Sequence, residues 1–484
     1  MSKKYFISTS IPYVNAAPHV GHALEFVETD IAARYHRLKG DDVFFLSGTD
    51  DNSLKNVLKA EESGEEVNTY VRRYAGVFKD LCVKLAISND YFIETSADTR
   101  HAPGAQKLWE GAERSGDIYK KSYEGIYCVG CEEFKTEKDL IDGRCPEHPN
   151  TFPEVVKEEN YFFRLSKYQA QLLELIENGT IKVVPEGRRN ETIAFIKSGL
   201  EDFSISRSRA RARNWGVEVP GDPDQVMYVW YDALANYITA LGYATDEENF
   251  QKFWTEGDER VHVIGKGINR FHTIYWPAML LSAGVDLPTT VFIHGYITGA
   301  DGQKMSKSLG NVVDPFEIVR EFGAEATRYF FARHVHPTED SPMDIARVKE
   351  AFNANLANGI GNQVARVMRL AETHLSEPVT VTDEPFEEAF CEKLDHYAFN
   401  EAMDLVFDHV QKADEYIQRE EPFKKIKSEN SEEVAKARAD IEKLVRHIYR
   451  IATHLEPFMP ETAGKIKEAV KTNKMPASLF VRKE

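Results

Sequence analysis

The apolar positions change period along this chain. Near the start, Tyr5-Phe6-Ile7-Ser8-Thr9 is a short β-prone run that Ile11-Pro12 interrupts. From His22 the spacing moves to threes and fours, with Leu24, Val27, Ile31, Tyr35 and Leu38 on one stripe, which predicts an amphipathic helix. Val43-Phe44-Phe45-Leu46 is then a compact apolar strand. Strand, helix and strand within about forty residues predict a βαβ unit, hence a parallel sheet with a right-handed crossover. Val291-Phe292-Ile293-His294-Gly295 is another buried-type strand. Residues 116–224 read as an insertion, with the sheet resuming around Met227, and strand patterns stop after about Asp344. Met403, Val406, Val410, Ala413 and Ile417, then Ile441, Leu444, Ile448, Ile451 and Leu455, predict an antiparallel helix bundle.

At 484 residues the chain can hold roughly two to four domains with ample core. No apolar run is long enough to cross a membrane, and too few apolar residues separate Lys4 from Pro12 for a signal peptide, so a cytoplasmic protein is expected. The net charge of −18 disfavours a polyanion partner unless a local surface is basic. Arg188-Arg189, the alternation Arg207, Arg209, Arg211, Arg213, and Lys424-Lys425 with Lys427 are candidates, and each equally suits a solvated face.

Two short strings carry chemistry. His19-Val20-Gly21-His22 falls at the start of the first predicted helix, where free amides and the helix dipole favour phosphate. Three apart, His19 and His22 share a face and can donate hydrogen bonds to an α-phosphate, while Gly21 leaves room for a flat adenine. Lys304-Met305-Ser306-Lys307-Ser308 follows the 291–295 strand on a loop bearing Gly299, Asp301 and Gly302. Lysines on a mobile loop suit β- and γ-phosphates. Either string alone is compatible with ordinary surface; together they describe in-line positioning and charge neutralisation for nucleotidyl transfer.

Three of the five cysteines form Cys128-x2-Cys131-x13-Cys145-x2-His148, with Gly130, Gly143 and Pro146 at turns. That spacing supplies four N/S ligands and none for water, predicting one structural Zn2+ per chain; an intracellular disulfide is the alternative. Cys82 and Cys391 are isolated and expected to be buried.

The two phosphate strings, in this order and in a chain of this size, resemble the class I aminoacyl-tRNA synthetases. Ile11-Pro12-Tyr13, Trp230-Tyr231-Asp232-Ala233-Leu234-Ala235-Asn236-Tyr237, His262-Val263-Ile264-Gly265-Lys266, Phe271-His272, Trp276-Pro277-Ala278-Met279-Leu280 and Gly295-Tyr296 narrow the resemblance to the methionyl-tRNA synthetase family over nearly the whole chain. The resemblance implies an α/β, Rossmann-like parallel-sheet catalytic domain split by a zinc-bearing insertion and followed by an all-α helix bundle. The boundaries so implied are 1–115 and 225–344 for the catalytic halves, 116–224 for the insertion and 345–484 for an anticodon-binding domain. It implies a methionine–tRNA ligase using ATP with Mg2+, L-methionine and tRNA(Met), and a monomer. His19, His22, Lys304 and Lys307 take catalytic roles, joined by Gly21 and Ser306 at ATP. Ile11, Tyr13, Trp230, Ala233, Tyr237, Ile268 and His272 fall where the family houses the methionine side chain; aromatic rings suit a thioether without a hydrogen bond. Asp50 matches the carboxylate that meets the substrate ammonium. The zinc site is the family's one-knuckle form with a histidine as fourth ligand. Asn362, Arg366 and Phe423, the last in place of a family tryptophan, match anticodon contacts.

Departures are local. Asp50-Asp51-Asn52-Ser53 stands where the family often shows Asp-Glu-His-Gly, and Gly267 replaces an aspartate common near the ATP ribose, the usual acidic neighbour of the arginine matched by Arg207. Two other readings stay open. A small-molecule nucleotidyltransferase shares the histidine chemistry but lacks the bundle and zinc insertion; a non-catalytic RNA-binding paralogue usually loses one of the two strings.

Overall fold

The computed structural model describes every residue except 1, 129–132, 136, 147–151, 301, 304 and 306–311. The chain divides into two compact units, each discontinuous in sequence. The first comprises Met1–Pro18, Asp41–Asp80 and Asn89–His294; the second comprises His19–Gly40, Leu81–Ser88 and Gly295–Glu484.

The first unit is built on a six-stranded sheet of β1 (Lys4–Ser8), β2 (Asp42–Thr49), β3 (Tyr91–Glu94), β4 (Lys182–Val184), β5 (Glu259–Gly265) and β6 (Thr290–His294). The spatial order is β3-β2-β1-β5-β6-β4, and every pairing is parallel. Strands such as Phe44–Leu46 and Val291–Ile293 are buried without alternation, as parallel strands covered on both faces must be. The order reverses between β1 and β5, so a crevice forms beyond their carboxyl ends, the general ligand position in such sheets. The large sheet does not wait for Met227: β4 supplies its edge from inside the stretch read as insertion, and the strand Asp222–Met227 belongs to a separate three-stranded sheet. The signal for β4 is three residues long, too short for periodicity to register.

The rest of that stretch is antiparallel. Ile118–Cys128 pairs with Glu154–Phe163 along most of its length, flanked by Glu133–Lys135 and Phe203–Ser204. The core of this unit holds Trp109, Trp254 and Trp276 fully buried.

The second unit is helical. Its first helix, α1 (Val20–Leu38), buries Leu24, Val27, Ile31 and Tyr35 as the spacing predicts, but Leu38 is 42% exposed. Unlike an amphipathic surface helix, α1 also buries Glu25, Glu28, Thr29 and Asp30. Asp30 is fully enclosed and bonds the Arg328 guanidinium at 2.7 Å and Arg34 at 2.7 Å, and accepts from the Ser88 amide and hydroxyl at 2.6 Å. Burial alone would raise its carboxyl; Arg328, Arg34 and the Ser88 donors outweigh that and hold it below the usual range. Arg328 sits on the helix Ala324–His334 and also donates to the carbonyls of Leu85, Pro457 and Phe458.

Further helices follow at Asn362–His374, Phe399–Glu420, Ser431–Leu455 and Pro460–Thr472. All ten apolar positions expected on the second and third of these are buried. Of the isolated cysteines, Cys82 is buried and burial pushes its thiol up to about 12, whereas Cys391 is only half-buried.

Arg328→Met should cost about 3–5 kcal/mol in chemical denaturation, because it strips the main partner from an enclosed carboxylate. Adding Asp30→Asn should recover part of the loss; a single variant as stable as the parent would contradict this role for the pair.

Candidate functional site

His19 caps α1. Its backbone is extended, its Nδ1 accepts from the Gly21 amide at 3.1 Å, and the His22 Nδ1 accepts from the His19 amide at 3.1 Å. The two rings stack at 3.8 Å. Since each Nδ1 is an acceptor, each ring when neutral carries its hydrogen on Nε2. Gly21 has a steric reason: a Cβ there would lie 3.0 Å from the His19 ring.

The seven expected side-chain-pocket positions all belong to the first unit, after the carboxyl ends of β1 and β5 or on the helix Val229–Leu234 and its extension. Trp230 meets Tyr13 edge-on at 6.4 Å and His272 edge-on at 6.3 Å, and stacks on Phe271 at 3.8 Å. His272 rides on a π-helical turn, Phe271–Tyr275, a distortion common where a helix must re-aim a side chain. The Tyr237 hydroxyl and His272 Nε2 are 2.7 Å apart, and His272 Nδ1 is 3.0 Å from the Ile268 carbonyl. A carbonyl can only accept, so Nδ1 bears the hydrogen and, in the neutral ring, Nε2 accepts from Tyr237. Beneath them, His262 Nε2 accepts from the Trp276 indole and its Nδ1 meets the Ser8 hydroxyl at 2.8 Å. Burial holds His262 well below its ordinary pKa, so this ring is neutral. Trp276 is therefore core. Ile11 packs where β2 and β3 come close: a Cβ on Gly48 would meet Ile93 at 2.4 Å and Ile11 at 3.1 Å.

Asp50 follows β2 and is buried; its amide donates to the Pro12 carbonyl at 2.9 Å, which aligns it beside Tyr13. The Asn52 amide donates to Asp50 Oδ1 at 3.2 Å, and the Asn52 side chain donates to Asp232 Oδ2 at 2.8 Å. Asp232 Oδ1 in turn meets His101 Nε2 at 2.5 Å, and His101 Nδ1 meets Thr239 at 2.9 Å. This enclosed polar chain ties the Asp50 turn to the helix bearing Trp230 and Ala233. The sequence carries no local signal for it, because Asp232 and His101 meet across 131 positions.

Arg207 is buried with its guanidinium over the Tyr127 and Tyr228 rings, at 5.6 and 5.4 Å. Lys304, Ser306 and Lys307 lie outside the described residues, as do Cys131 and His148. Of the other two thiols, Cys128 ends its strand and Cys145 follows a tight turn with Asp142 and Gly143 at positive φ; both are buried. Among the described residues no cluster of three or more His, Cys, Asp or Glu is arranged to hold a metal. In the second unit, Asn362 and Arg366 are exposed one turn apart, with Arg366 3.7 Å from Asp414, and Phe423 is 37% exposed.

Asp51, beside Asp50, is enclosed and accepts from the Ser96 amide and hydroxyl at 3.2 and 3.0 Å. Burial pushes its carboxyl up to about 6 despite those donors. A folded-state pKa above the unfolded one means stability is greatest below the unfolded value and falls as pH rises through about 6. Asp51→Asn should therefore gain on the parent by about 3 kcal/mol between pH 4 and 7 in denaturation midpoints; a pH-independent difference would contradict it.

Comparison with known proteins agrees with this geometry. A family model described as tRNA synthetases class I (M) matches residues 5–151 and 149–368. The methionine–tRNA ligase of Rhizobium meliloti (strain 1021) is 40% identical over 483 residues, spanning 96% of this chain and 91% of that protein. That of Thermotoga maritima is 37% identical over 491 residues, spanning 98% and 76%. The solved structure of Mycobacterium tuberculosis methionyl-tRNA synthetase in complex with methionyl-adenylate superposes with a TM-score of 0.89 at 36% identity, covering 100% of this chain and 99% of that one. With that match on top of the aromatic pocket and the histidine-capped helix, the chain belongs to the methionine–tRNA ligase family of class I tRNA synthetases.

Proposed function

We propose that this chain is a ligase that activates L-methionine with ATP and transfers it to the 3′-terminal adenosine of tRNA(Met), serving translation initiation and elongation. The observation that carries the reading is the aromatic pocket of Trp230, Tyr237 and His272 beside a buried carboxylate, Asp50, at the switch point of the sheet. Rings of that kind accept a polarizable thioether, and Asp50 orients the ammonium.

In the first step a methionine carboxylate oxygen bonds to the α-phosphorus while the bond to pyrophosphate breaks. The Nε2–H groups of His19 and His22 stabilise the α-phosphate oxygens as charge builds; Lys304, Ser306 and Lys307 hold the departing pyrophosphate, with Gly21 against adenine. Mg2+ bound with the nucleotide would supply charge screening at its phosphates. In the second step the 2′-hydroxyl of the terminal adenosine attacks the acyl carbon and AMP leaves. Asn362, Arg366 and Phe423 contact the anticodon, the last by stacking. The functional division is 1–115 and 225–344 for catalysis, 116–224 for the insertion and 345–484 for anticodon binding, in a cytoplasmic monomer.

Cys128 and Cys145 fit a structural Zn2+: both are soft donors enclosed from water, at 2% and 1% exposure, one on a strand end and one after a tight turn. Cys131 and His148 complete the set. Zn2+ held by these residues would stiffen the insertion and take no part in the reaction.

Exchange of labelled pyrophosphate into ATP should depend on methionine among all the amino acids, and exchange with a different amino acid or with none would defeat the reading. His22→Ala should lower the exchange rate by about 2–4 kcal/mol of transition-state stabilisation while leaving methionine binding nearly unchanged; a wild-type rate would remove His22 from the mechanism. Elemental analysis of the purified chain should find one zinc, and Cys145→Ser should lose it. A metal-free active preparation would overturn the zinc assignment.

A further inference from the structure

Two residues after Trp230, on the helix Val229–Leu234, Asp232 is 1% exposed. A carboxylate so enclosed needs donors on both oxygens. His101 Nε2 lies 2.5 Å from its Oδ1, and the Asn52 side chain donates to its Oδ2 at 2.8 Å. His101 is fully buried and fixed from behind, with Nδ1 2.9 Å from the Thr239 hydroxyl. The helix His101–Arg114 packs closely there: a Cβ on Gly104 would fall 2.3 Å from Thr239 Cγ2 and 2.9 Å from the Tyr243 carbonyl oxygen. Asn236, on the same turn as Thr239, donates to the Ala233 carbonyl at 2.6 Å. This end of the network is therefore tightly packed, and it carries Trp230 and Ala233 of the proposed pocket.

The other end is the turn after β2. Its backbone is held at Asp50, where the amide donates to the Pro12 carbonyl and the carbonyl accepts from the Asn56 side chain, both at 2.9 Å. At Asp51 the amide donates to the Thr95 hydroxyl at 2.9 Å, and the carbonyl accepts from the Trp215 indole at 2.8 Å. Asn52 makes two contacts at once. Its backbone amide donates to Asp50 Oδ1 at 3.2 Å while its side chain reaches Asp232, so one residue joins the two carboxylates.

We infer that Asn52 and Asp232 are positioning residues for the amino-acid ammonium: Asp232 anchors the Asn52 side chain, and the Asn52 amide fixes the Asp50 carboxylate before substrate arrives. A carboxylate that must be ordered on meeting an ammonium loses rotamer freedom. One already held loses less, so the strut raises affinity without touching the ligand. It also fixes the separation between Asp50 and the Trp230 ring, because Trp230 and Asp232 share a helix. The inference rests on the proposed methionine activation and deepens it by naming what orients Asp50.

The test uses the full chain, N52A and the similarly shaped N52L, neither of which offers Asp232 a side-chain donor. In pyrophosphate exchange the KM for methionine should rise about tenfold in both, while kcat and the KM for ATP stay within about twofold of the parent's. Two inhibitors separate positioning from a merely loosened pocket. L-methioninol keeps the ammonium and the thioether; 4-(methylthio)butanoate keeps the thioether and the carboxylate without the ammonium. The variants should bind methioninol about tenfold more weakly and the butanoate as the parent does. Parent-like binding of methioninol by both variants, or an equal loss for the two inhibitors, would overturn the inference. A parent chain without methionine-dependent exchange would remove the function itself, and this inference with it.

Discussion

The enclosed Asp30 carboxylate is the constraint around which the histidine-bearing helix is organised. It lies well inside α1, out of reach of water, yet Arg328, Arg34 and two donors from Ser88 keep it charged. A one-residue slip of the helix would swing that carboxylate by about 100° and strand a buried charge, so position along and about the helix axis is specified together. The same register sets where the first turn begins, and therefore where the two stacked imidazoles stand. Arg328 spreads the constraint further by satisfying carbonyls at Leu85, Pro457 and Phe458. Buried ion pairs contribute little net stability against an apolar substitute; what this one supplies is uniqueness of arrangement.

The pocket follows a different rule. Several polar atoms around the proposed thioether site are bonded nearby, Tyr237 to His272, His272 to the Ile268 carbonyl, Trp276 to His262 and His262 to Ser8, whereas the buried Trp230 indole N–H has no hydrogen-bond partner among the described residues. With Tyr237, His272 and His262 engaged, the proposed pocket offers a side chain mainly shape and polarizability. The turn after β2, proposed to meet the substrate ammonium through Asp50, is braced against the pocket helix by Asn52 and Asp232. Such a design discriminates strongly against polar side chains and weakly against a missing methylene.

Much of this was legible in the chain because its signals are local. Buried parallel strands show as unbroken apolar runs, the bundle as threes and fours, and the histidine-capped helix as a strand break followed by His19-Val20-Gly21-His22. What escaped depended on long-range contact. The β4 strand is too short to show a period and exists because β6 offers it an edge. His101 pairs with Asp232 across 131 positions of sequence. The internal burial of α1 is invisible to a pattern that treats Glu25, Glu28 and Asp30 as a polar face. Arg207 and Arg211 could be surface charge until the fold placed rings beside both.

The central claim is that imidazoles from the start of α1 and ammonium groups from the Lys304–Lys307 loop meet on one nucleotide whose acyl partner is methionine. A crystal structure with a non-hydrolysable methionyl-adenylate analogue and pyrophosphate tests it most directly. The account predicts the α-phosphate within hydrogen-bond reach of Nε2 of His19 and His22, the ammonium at Asp50, the sulfur among Trp230, Tyr237 and His272, and pyrophosphate on Lys304 and Lys307. An adenylate bound elsewhere, or a pyrophosphate that neither lysine touches, would contradict it.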